Sequence, residues 1–228
     1  MIRIVGLSLN SGSDCIHDLN LKVADGEIFC LLCKQRSLRQ SLFAVLRGFQ
    51  EPGHGQVIYL GDPAPSGANF VVVDQVAAGD FDPGATLGSF LRLFCRAARI
   101  SREAVYEILI QLNVGENLLR RRLRDVDEEV FRKLVLAILL AIPAPNLVFN
   151  DLIHGEKKAF ELEFNNLLNL HREKGKAILY LTDDIFYALH IADRVAFIKR
   201  GHLLPREPIP AVDLEEMDLM RLYRKYLS

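Results

Sequence analysis

Residues 27–32 read EIFCLL and are followed directly by residues 33–40, CKQRSLRQ. The first run is almost continuously apolar, which is typical of a strand buried on both faces of a parallel sheet. After the second run, residues 41–48 space their apolar side chains like a helix, and Gly48 is placed to end it. A buried strand joined to a helix by a short connection predicts an α/β unit.

The same alternation continues along the chain. Strands are predicted at residues 70–73, 147–149, 177–181 and 195–198, and helices at 131–142, 157–173 and 185–192. Residues 86–135 contain no convincing strand, so we expect a helical insertion there. Beyond them, Pro205, Pro208 and Pro210 are expected to break regular structure, before an amphipathic helix over residues 214–226. The fold class is therefore α/β with a mainly parallel sheet covered on both faces.

Composition limits the class of protein. The 228 residues are 50% hydrophobic and 25% charged, and 28 basic against 29 acidic side chains give a net charge of -1. This balance argues against a nucleic-acid partner, since such proteins usually carry an excess of positive charge. The N-terminus predicts no signal peptide, and the longest apolar run, residues 134–142, is too short to span a membrane. The four cysteines suit a reduced, cytoplasmic setting, with the CxxC pair Cys30 and Cys33 expected to be buried thiols.

Several phrases, in order, resemble the nucleotide-binding domain of ABC transporters. They are residues 24–29 (ADGEIF), residues 51–57 (EPGHGQV) after Gly48, residues 86–103 (TLGSFLRLFCRAARISRE) and residues 193–203 (DRVAFIKRGHL). The likeness is greatest to the separate ATPase subunits of ABC-2-type exporters. It implies a RecA-like sheet core over residues 1–85 and 136–204, with an N-terminal antiparallel portion. It also implies a helical subdomain at about 86–135 and a C-terminal extension at 205–228.

The family's phosphate loop, G-x-x-G-x-G-K-[ST], aligns with residues 33–40. Its glycines let backbone N–H groups approach phosphates, and its lysine reaches the terminal ones. Here Cys33, Arg36 and Leu38 replace the glycines, Arg39 replaces the lysine, and Gln40 replaces the magnesium-binding hydroxyl. Side chains at the glycine positions would occupy phosphate space, and a planar guanidinium does not substitute for a compact ammonium. We therefore expect no ATP or magnesium cofactor.

Lys34, Arg36 and Arg39 leave two interpretations open. They form either a solvated basic loop or a residual anion site, because a helix N-terminus follows them and attracts anions.

The signature motif, LSGGQ in the family, grips the ATP held by the opposite subunit. The aligned residues are Val126, Asp127, Glu128, Glu129 and the following valine, so two carboxylates replace two glycines. Like charges in close contact would repel a triphosphate here. The alternative is an exposed acidic helix start, where Asp and Glu are favourable. Neither interpretation leaves a working signature.

Two of the other residues that contact nucleotide or magnesium in the family are kept in this sequence. Asp151 matches the magnesium-associated carboxylate at the end of the Walker B strand, and Gln75 matches the Q-loop. Leu152 stands where the catalytic glutamate belongs and cannot polarise water. Asp183 replaces the switch histidine. The aromatic that would stack on adenine is missing near Asn10.

Asp151, Asp183 and Gln75 could converge at strand ends and hold a divalent cation, since oxygen ligands suit magnesium or calcium. An aspartate at a strand end more often caps the next helix. We therefore expect no metal site; Asp151 is the one candidate ligand.

These departures predict a catalytically inactive, pseudo-ATPase subunit that acts as a scaffold on the cytoplasmic face of a membrane. The implied partners are the permease subunit of an ABC transporter and an intact ABC ATPase, with no nucleic acid. The alternatives are a divergent but active ATPase subunit and a soluble regulator that binds a protein or an anion. The arginines at positions 120, 121, 122 and 124 predict a solvated charged face, or contact with acidic lipid or a partner.

Overall fold

The computed structural model describes residues 1–11, 14–61, 68–74, 81–153 and 155–210. The strands in chain order are β1 (Ile2–Ser11), β2 (Asp14–Val23), β3 (Ile28–Cys33), β4 (His54–Tyr59), β5 (Phe70–Val73), β6 (Asn146–Asn150), β7 (Ala177–Thr182), β8 (Arg194–Lys199) and β9 (His202–Pro210). The helices are α1 (Arg36–Leu46), α2 (Leu87–Ala98), α3 (Arg102–Gln111), α4 (Glu128–Leu140), α5 (Lys158–Glu173) and α6 (Ile185–Ile191). Within these residues no helix has both the length and the apolar character needed to cross a bilayer.

The strands form two sheets. A three-stranded antiparallel sheet has the order β2-β1-β4, and a six-stranded sheet has the order β5-β6-β7-β3-β8-β9. In the larger sheet every neighbouring pair is parallel except β8 and β9. The predicted α/β class, with a mainly parallel sheet, an antiparallel N-terminal portion and a helical insertion, is confirmed.

Strand β3 lies at the centre of the core, and all six of its side chains are buried. Ile28, Cys30 and Leu32 face one apolar cluster, which includes the cores of α2 to α6. Phe29 and Leu31 alternate with them and face a second cluster, which includes α1 and the three-stranded sheet. Because both faces are covered, the strand needs apolar residues at every position, which explains the EIFCLL run.

Capping residues explain where helices α2 and α3 begin. Thr86 Oγ1 accepts a hydrogen bond from the backbone N–H of Ser89, and Ser89 Oγ accepts one from the backbone N–H of Thr86, which forms a capping box. Ser101 accepts from the backbone N–H of Ala104 at the start of α3. Residues 81–140, all described, contain helices and turns and no strand, only an isolated bridge between Thr86 and Arg122.

Three elements differ from the prediction. Helix α1 begins at Arg36, not at residue 41, and α4 begins at Glu128, not at residue 131. Strand β9 runs through to Pro210, where the prolines predict a break. It pairs only with β8 at the edge of the sheet, and an edge strand tolerates residues that lack an N–H donor. The predicted helix at 214–226 lies outside the described residues.

Candidate functional site

The carboxyl ends of three adjacent parallel strands meet at one edge of the large sheet. Cys33 ends β3, Asn150 ends β6 and Thr182 ends β7, which lies between the other two. Ligands of open α/β sheets bind at this edge. The topology therefore brings the segments after these strands, which the sequence singles out, to one place.

The connection after β3 is a two-residue link, Lys34 and Gln35, which leads directly into helix α1. The backbone N–H of Arg39 donates to the carbonyl of Gln35 at 3.0 Å, so this N–H is used inside the helix. Leu38 is fully buried and packs in the second core cluster. Residues 36–39 therefore form the first turn of a helix that is attached to the core, and the N–H of Arg39 is used within that helix.

Arg39 is buried, only 5% exposed, and its guanidinium turns inward. It donates to the backbone carbonyl of Cys33 at 3.0 Å and to Asp151 Oδ2 at 2.8 Å, and it lies 3.1 Å from Asp183 Oδ2. One cation thus bridges two carboxylates that come from different strand ends. We call Arg39, Asp151 and Asp183 the arginine–aspartate triad. Its formal charge is -1.

A polar network fixes Asp151 in this position. Its second carboxylate oxygen, Oδ1, accepts from Thr182 Oγ1 at 2.9 Å, and that hydroxyl oxygen accepts from the backbone N–H of Asp184 at 3.1 Å. The backbone N–H of Asp151 donates to Leu181, and the residue has a positive φ of 47°. Aspartate tolerates this left-handed conformation better than most side chains.

The position after Asp151 belongs to the core. Leu152 is buried, and so is Ile153, whose backbone N–H donates to the hydroxyl oxygen of Tyr180 at 3.2 Å. No carboxylate stands at position 152 to orient a water molecule. Asp184, the neighbour of Asp183, caps α6 by accepting from the N–H of Tyr187 at 3.0 Å.

The signature-aligned segment begins helix α4. Asp127 precedes the helix, and Glu128 and Glu129 lie in its first turn, where carboxylates favour the helix dipole. Glu129 is bonded to Lys157 Nζ at 2.8 Å and lies 3.3 Å from Lys133 Nζ. The hydrogen bond from Lys157 lowers the pKa of Glu129 below its usual value. The segment is thus an acidic helix start, one of the two interpretations, but Glu129 is only partly exposed and is paired with lysines.

The basic cluster predicted at the loop is divided by the structure. Lys34 and Arg36 are exposed, whereas Arg39 is buried and turned toward the aspartates. Asp151 and Asp183 do converge, as the metal hypothesis requires, but they converge on a guanidinium. Within the described residues no group of three potential ligands could hold a metal ion. Gln75, the third proposed ligand and the Q-loop residue, lies outside the described residues.

A cleft of about 650 Å³ opens beside the triad. Asp151, Thr182 and Asp184 line it, together with residues of α5 and α6, and no residue of 33–40 does so. The cleft therefore lies on the side of Asp151 away from the aligned phosphate loop.

The four cysteines are free, and burial raises the pKa of the Cys33 thiol to about 11, so the CxxC pair consists of inert, buried thiols as predicted.

Sequence reasoning identified each residue of the triad and allowed Asp151 and Asp183 to converge, but it missed that Arg39 joins them. It treated Arg39 and Asp183 as two separate losses. The signal that was available is the charge pattern: a cation is kept at position 39, and an anion appears at position 183.

Comparison with known proteins places the geometry in context. No protein-family model matches the chain. It is 30% identical to the Nod factor export ATP-binding protein I of Rhizobium meliloti (strain 1021) over 82% of its own length and 58% of that protein. It is 26% identical to the nitrate import ATP-binding protein NrtD of Synechococcus elongatus over 82% of its length and 70% of that protein. The chain thus spans little more than half of the first of these relatives.

Solved structures are similar to this chain in fold, although their sequences are only distantly similar. An ATP-binding subunit of an ABC transporter superposes with a TM-score of 0.80 at 16% identity, with each chain covered completely. The cbiO1 protein of Clostridium perfringens, part of the ABC transporter complex cbiONQ, superposes with a TM-score of 0.75 at 16% identity, covering 98% of this chain and 94% of that one.

Proposed function

From the premise that this chain has the fold of an ABC transporter ATP-binding domain, we propose that it is a pseudo-ATPase subunit. In this role it keeps the fold as a docking scaffold in a membrane transporter and does not hydrolyse ATP. The proposed type is the separate subunit of an ABC-2-type exporter, which rests on the phrases shared with that subfamily. Relatives with export and import names both resemble the chain.

The observation that carries the proposal is the arginine–aspartate triad. In the ABC family, the residue that aligns with Arg39 faces the terminal phosphates. The residues that align with Asp151 and Asp183 face the magnesium ion and the γ-phosphate. Here Arg39 binds both aspartates, so Asp183 takes the role of the missing anion. A buried cation already paired with two carboxylates has no charge left to attract a phosphate, and the triad's net charge of -1 opposes it.

The backbone supports the same proposal. A phosphate loop holds its ligand with several backbone N–H groups that converge on it. In this chain the N–H of Arg39 is used within α1, and the buried Leu38 ties the same turn to the core. The residues present therefore do not fit a magnesium–nucleotide complex, and we assign no catalytic step to them.

The signature segment extends the proposal to a partner's site. In the ABC family two domains pair head to tail, and each signature motif contacts the ATP of the other subunit. Glu128 and Glu129 stand where the family has glycines, and Glu129 is already paired with Lys133 and Lys157, so this turn lacks the groups that would bind that nucleotide. A homodimer would then lack a working site, and an intact partner ATPase would meet a turn without the signature glycines. We accordingly propose a permease as the principal partner and the cytoplasmic face of the membrane as the location.

Phosphate release from MgATP tests the loss of catalysis. We expect the purified chain and its Arg39→Ala variant to show the same background rate, because neither positions a phosphate or a water molecule. Arg36→Ala, an exposed change in the same helix, is the matched control. Turnover by the wild type that disappears only in Arg39→Ala would contradict the proposal and favour a divergent, active ATPase.

Co-purification tests the scaffold role. The tagged chain, recovered from gently solubilised membranes of its natural host, should bring with it a polytopic ABC permease identified by mass spectrometry. Recovery of a soluble protein in place of a permease would favour the regulator alternative and contradict the scaffold.

A further inference from the structure

Four arginines of the helical insertion line two adjoining hollows. Arg92, Arg102 and Arg120 line a hollow of about 760 Å³. Arg92, Arg96 and Arg102 line a second hollow of about 570 Å³. Because Arg92 and Arg102 line both, the two hollows are parts of one continuous surface. We call these four residues the basic surface.

Local structure explains why these arginines lie together. Arg92 and Arg96 are four residues apart on α2, so they share a face of the helix. The chain then turns at Arg99, whose φ is 55°, and the backbone N–H of Ile100 donates to the carbonyl of Cys95 at 3.0 Å. This turn places Arg102, the first residue of α3, beside α2.

The basic surface is not neutralised from within. Among the residues that the structure describes, none of these four arginines forms an ion pair or a hydrogen bond through its side chain, whereas Arg39, Arg132 and Arg194 all pair with carboxylates. No acidic residue occurs between Asp82 and Glu103. Glu116 is the single carboxylate that lines either hollow. Exposed guanidinium groups held close together repel one another and favour an anionic ligand.

An apolar side chain lies within the same surface. Leu93, next to Arg92, is 65% exposed and lines the second hollow with Ile100. Guanidinium groups around an exposed leucine match the boundary of a bilayer, where phosphates lie next to acyl chains. A free phosphate or an acidic peptide would use the charges but would leave the leucine in water.

We propose that the basic surface binds an anionic membrane, with the four guanidinium groups on lipid phosphates and Leu93 at the boundary with the acyl chains. The proposal uses residues far from the triad in sequence and holds whether or not the chain binds nucleotide. Its failure would leave the pseudo-ATPase assignment unchanged.

Vesicle co-sedimentation tests this proposal with the full chain. We expect binding to vesicles of phosphatidylcholine mixed with phosphatidylglycerol and little binding to phosphatidylcholine alone. Replacing Arg92, Arg96 and Arg102 with glutamine should weaken the binding roughly 100-fold, since each basic residue near an anionic surface contributes about fivefold. Leu93→Ser should weaken it severalfold while the charge is unchanged.

A matched control separates a specific surface from general charge attraction. Arg3, Lys22 and Lys174 are exposed basic residues elsewhere, and replacing all three with glutamine changes the net charge by the same amount. This variant should keep nearly the full affinity, and circular dichroism should show both variants folded. Equal losses in the two triple variants would overturn the proposal.

Two competitors test whether the basic surface binds a free anion or an acidic protein in place of a membrane. Inorganic phosphate at low millimolar concentration should not displace the vesicles; displacement would indicate a free-anion site and overturn the proposal. Poly-glutamate should not bind more tightly than the anionic vesicles. If it binds while the vesicles do not, the surface serves an acidic protein partner and the membrane assignment is wrong.

Discussion

Arginine has opposite roles in two regions of this molecule. At the end of the central strands, Arg39 is buried and holds two aspartates. On the helical insertion, Arg92 and its neighbours are exposed and, within the described part of the chain, have no partner. The first region has closed on itself, and the second is open to a ligand. The presence of arginine alone does not show which region could bind an anion. What decides is whether the guanidinium is already paired with a carboxylate.

The same difference applies to the backbone. The link after β3 has become the first turn of α1 and is attached to the core through Leu38. The turn between α2 and α3 stays at the surface, with Arg99 and Ser101 exposed. Under the proposed function, the attachment of this turn to the core adds to stability and leaves no open loop for a phosphate.

The largest effect is expected from Leu38→Gly, which restores a family glycine. It removes a fully buried side chain from the second core cluster and puts glycine in a helix, so unfolding free energy should fall by about 4 kcal/mol. Urea denaturation measures the change. Arg36→Gly, at the exposed first position of the same helix, should cost less than about 1 kcal/mol. Equal effects of the two would mean that this turn is not part of the core.

Arg39→Ala should lower the unfolding free energy by about 3 kcal/mol, because it leaves Asp151 and Asp183 close together without their shared cation. Arg92→Ala removes an arginine that has no partner among the described residues and should change stability by no more than about 0.5 kcal/mol. The two losses of unfolding free energy therefore compare a paired arginine with an arginine that has no partner among the described residues. If Arg92→Ala costs as much as Arg39→Ala, the contrast between a closed and an open region is wrong.

A buried base in the core gives a prediction about pH. His171 is 6% exposed, and burial lowers its pKa to about 3, so the folded protein binds its proton less readily than the unfolded chain does. Stability from this group is therefore fully present above about pH 6.5 and is lost as the pH falls toward 3, by up to about 1.4 kcal/mol per pH unit.

His171→Gln should flatten that acid limb of the stability curve, measured by urea denaturation at several pH values. His54→Gln, at an exposed position, is the control and should leave the curve unchanged. An unaltered acid limb in His171→Gln would show that this histidine is not held neutral by burial.

The smallest effect concerns the signature segment. Lys157→Ala removes the hydrogen bond that lowers the pKa of Glu129, so that pKa should rise toward its ordinary value. Carboxyl NMR titration of Glu129 measures the shift, and Lys158→Ala, a neighbouring exposed lysine paired to Glu161, serves as the control. An unchanged Glu129 titration would mean that the acidic helix start is not held by this partner.

Much of the fold was predictable because burial and capping are local signals. The six apolar residues of β3 and the Thr86 and Ser101 caps could be read from neighbouring residues alone. The early start of α1 could not, because the family alignment predicted a loop through residue 40. The sequence held a contrary signal, since the residues replacing the glycines, Arg36 and Leu38, are good helix formers.

The site was predictable residue by residue but not as an arrangement. Arg39 and Asp183 are far apart in the sequence, and only the adjacency of β3 and β7 brings their segments together. The edge position of β9, which lets its prolines stay in a strand, likewise depends on sheet order. Gln75 and the helix at 214–226 lie outside the described residues and remain predictions.

Calorimetric titration of the purified chain with MgATP tests the central claim, that the triad has taken the place of a nucleotide. We expect no saturable heat at millimolar nucleotide, for the wild type and for Arg39→Ala alike. Saturable binding with a micromolar Kd that is lost in both Arg39→Ala and Asp151→Asn would contradict the claim, because those side chains would then hold the ligand and not each other.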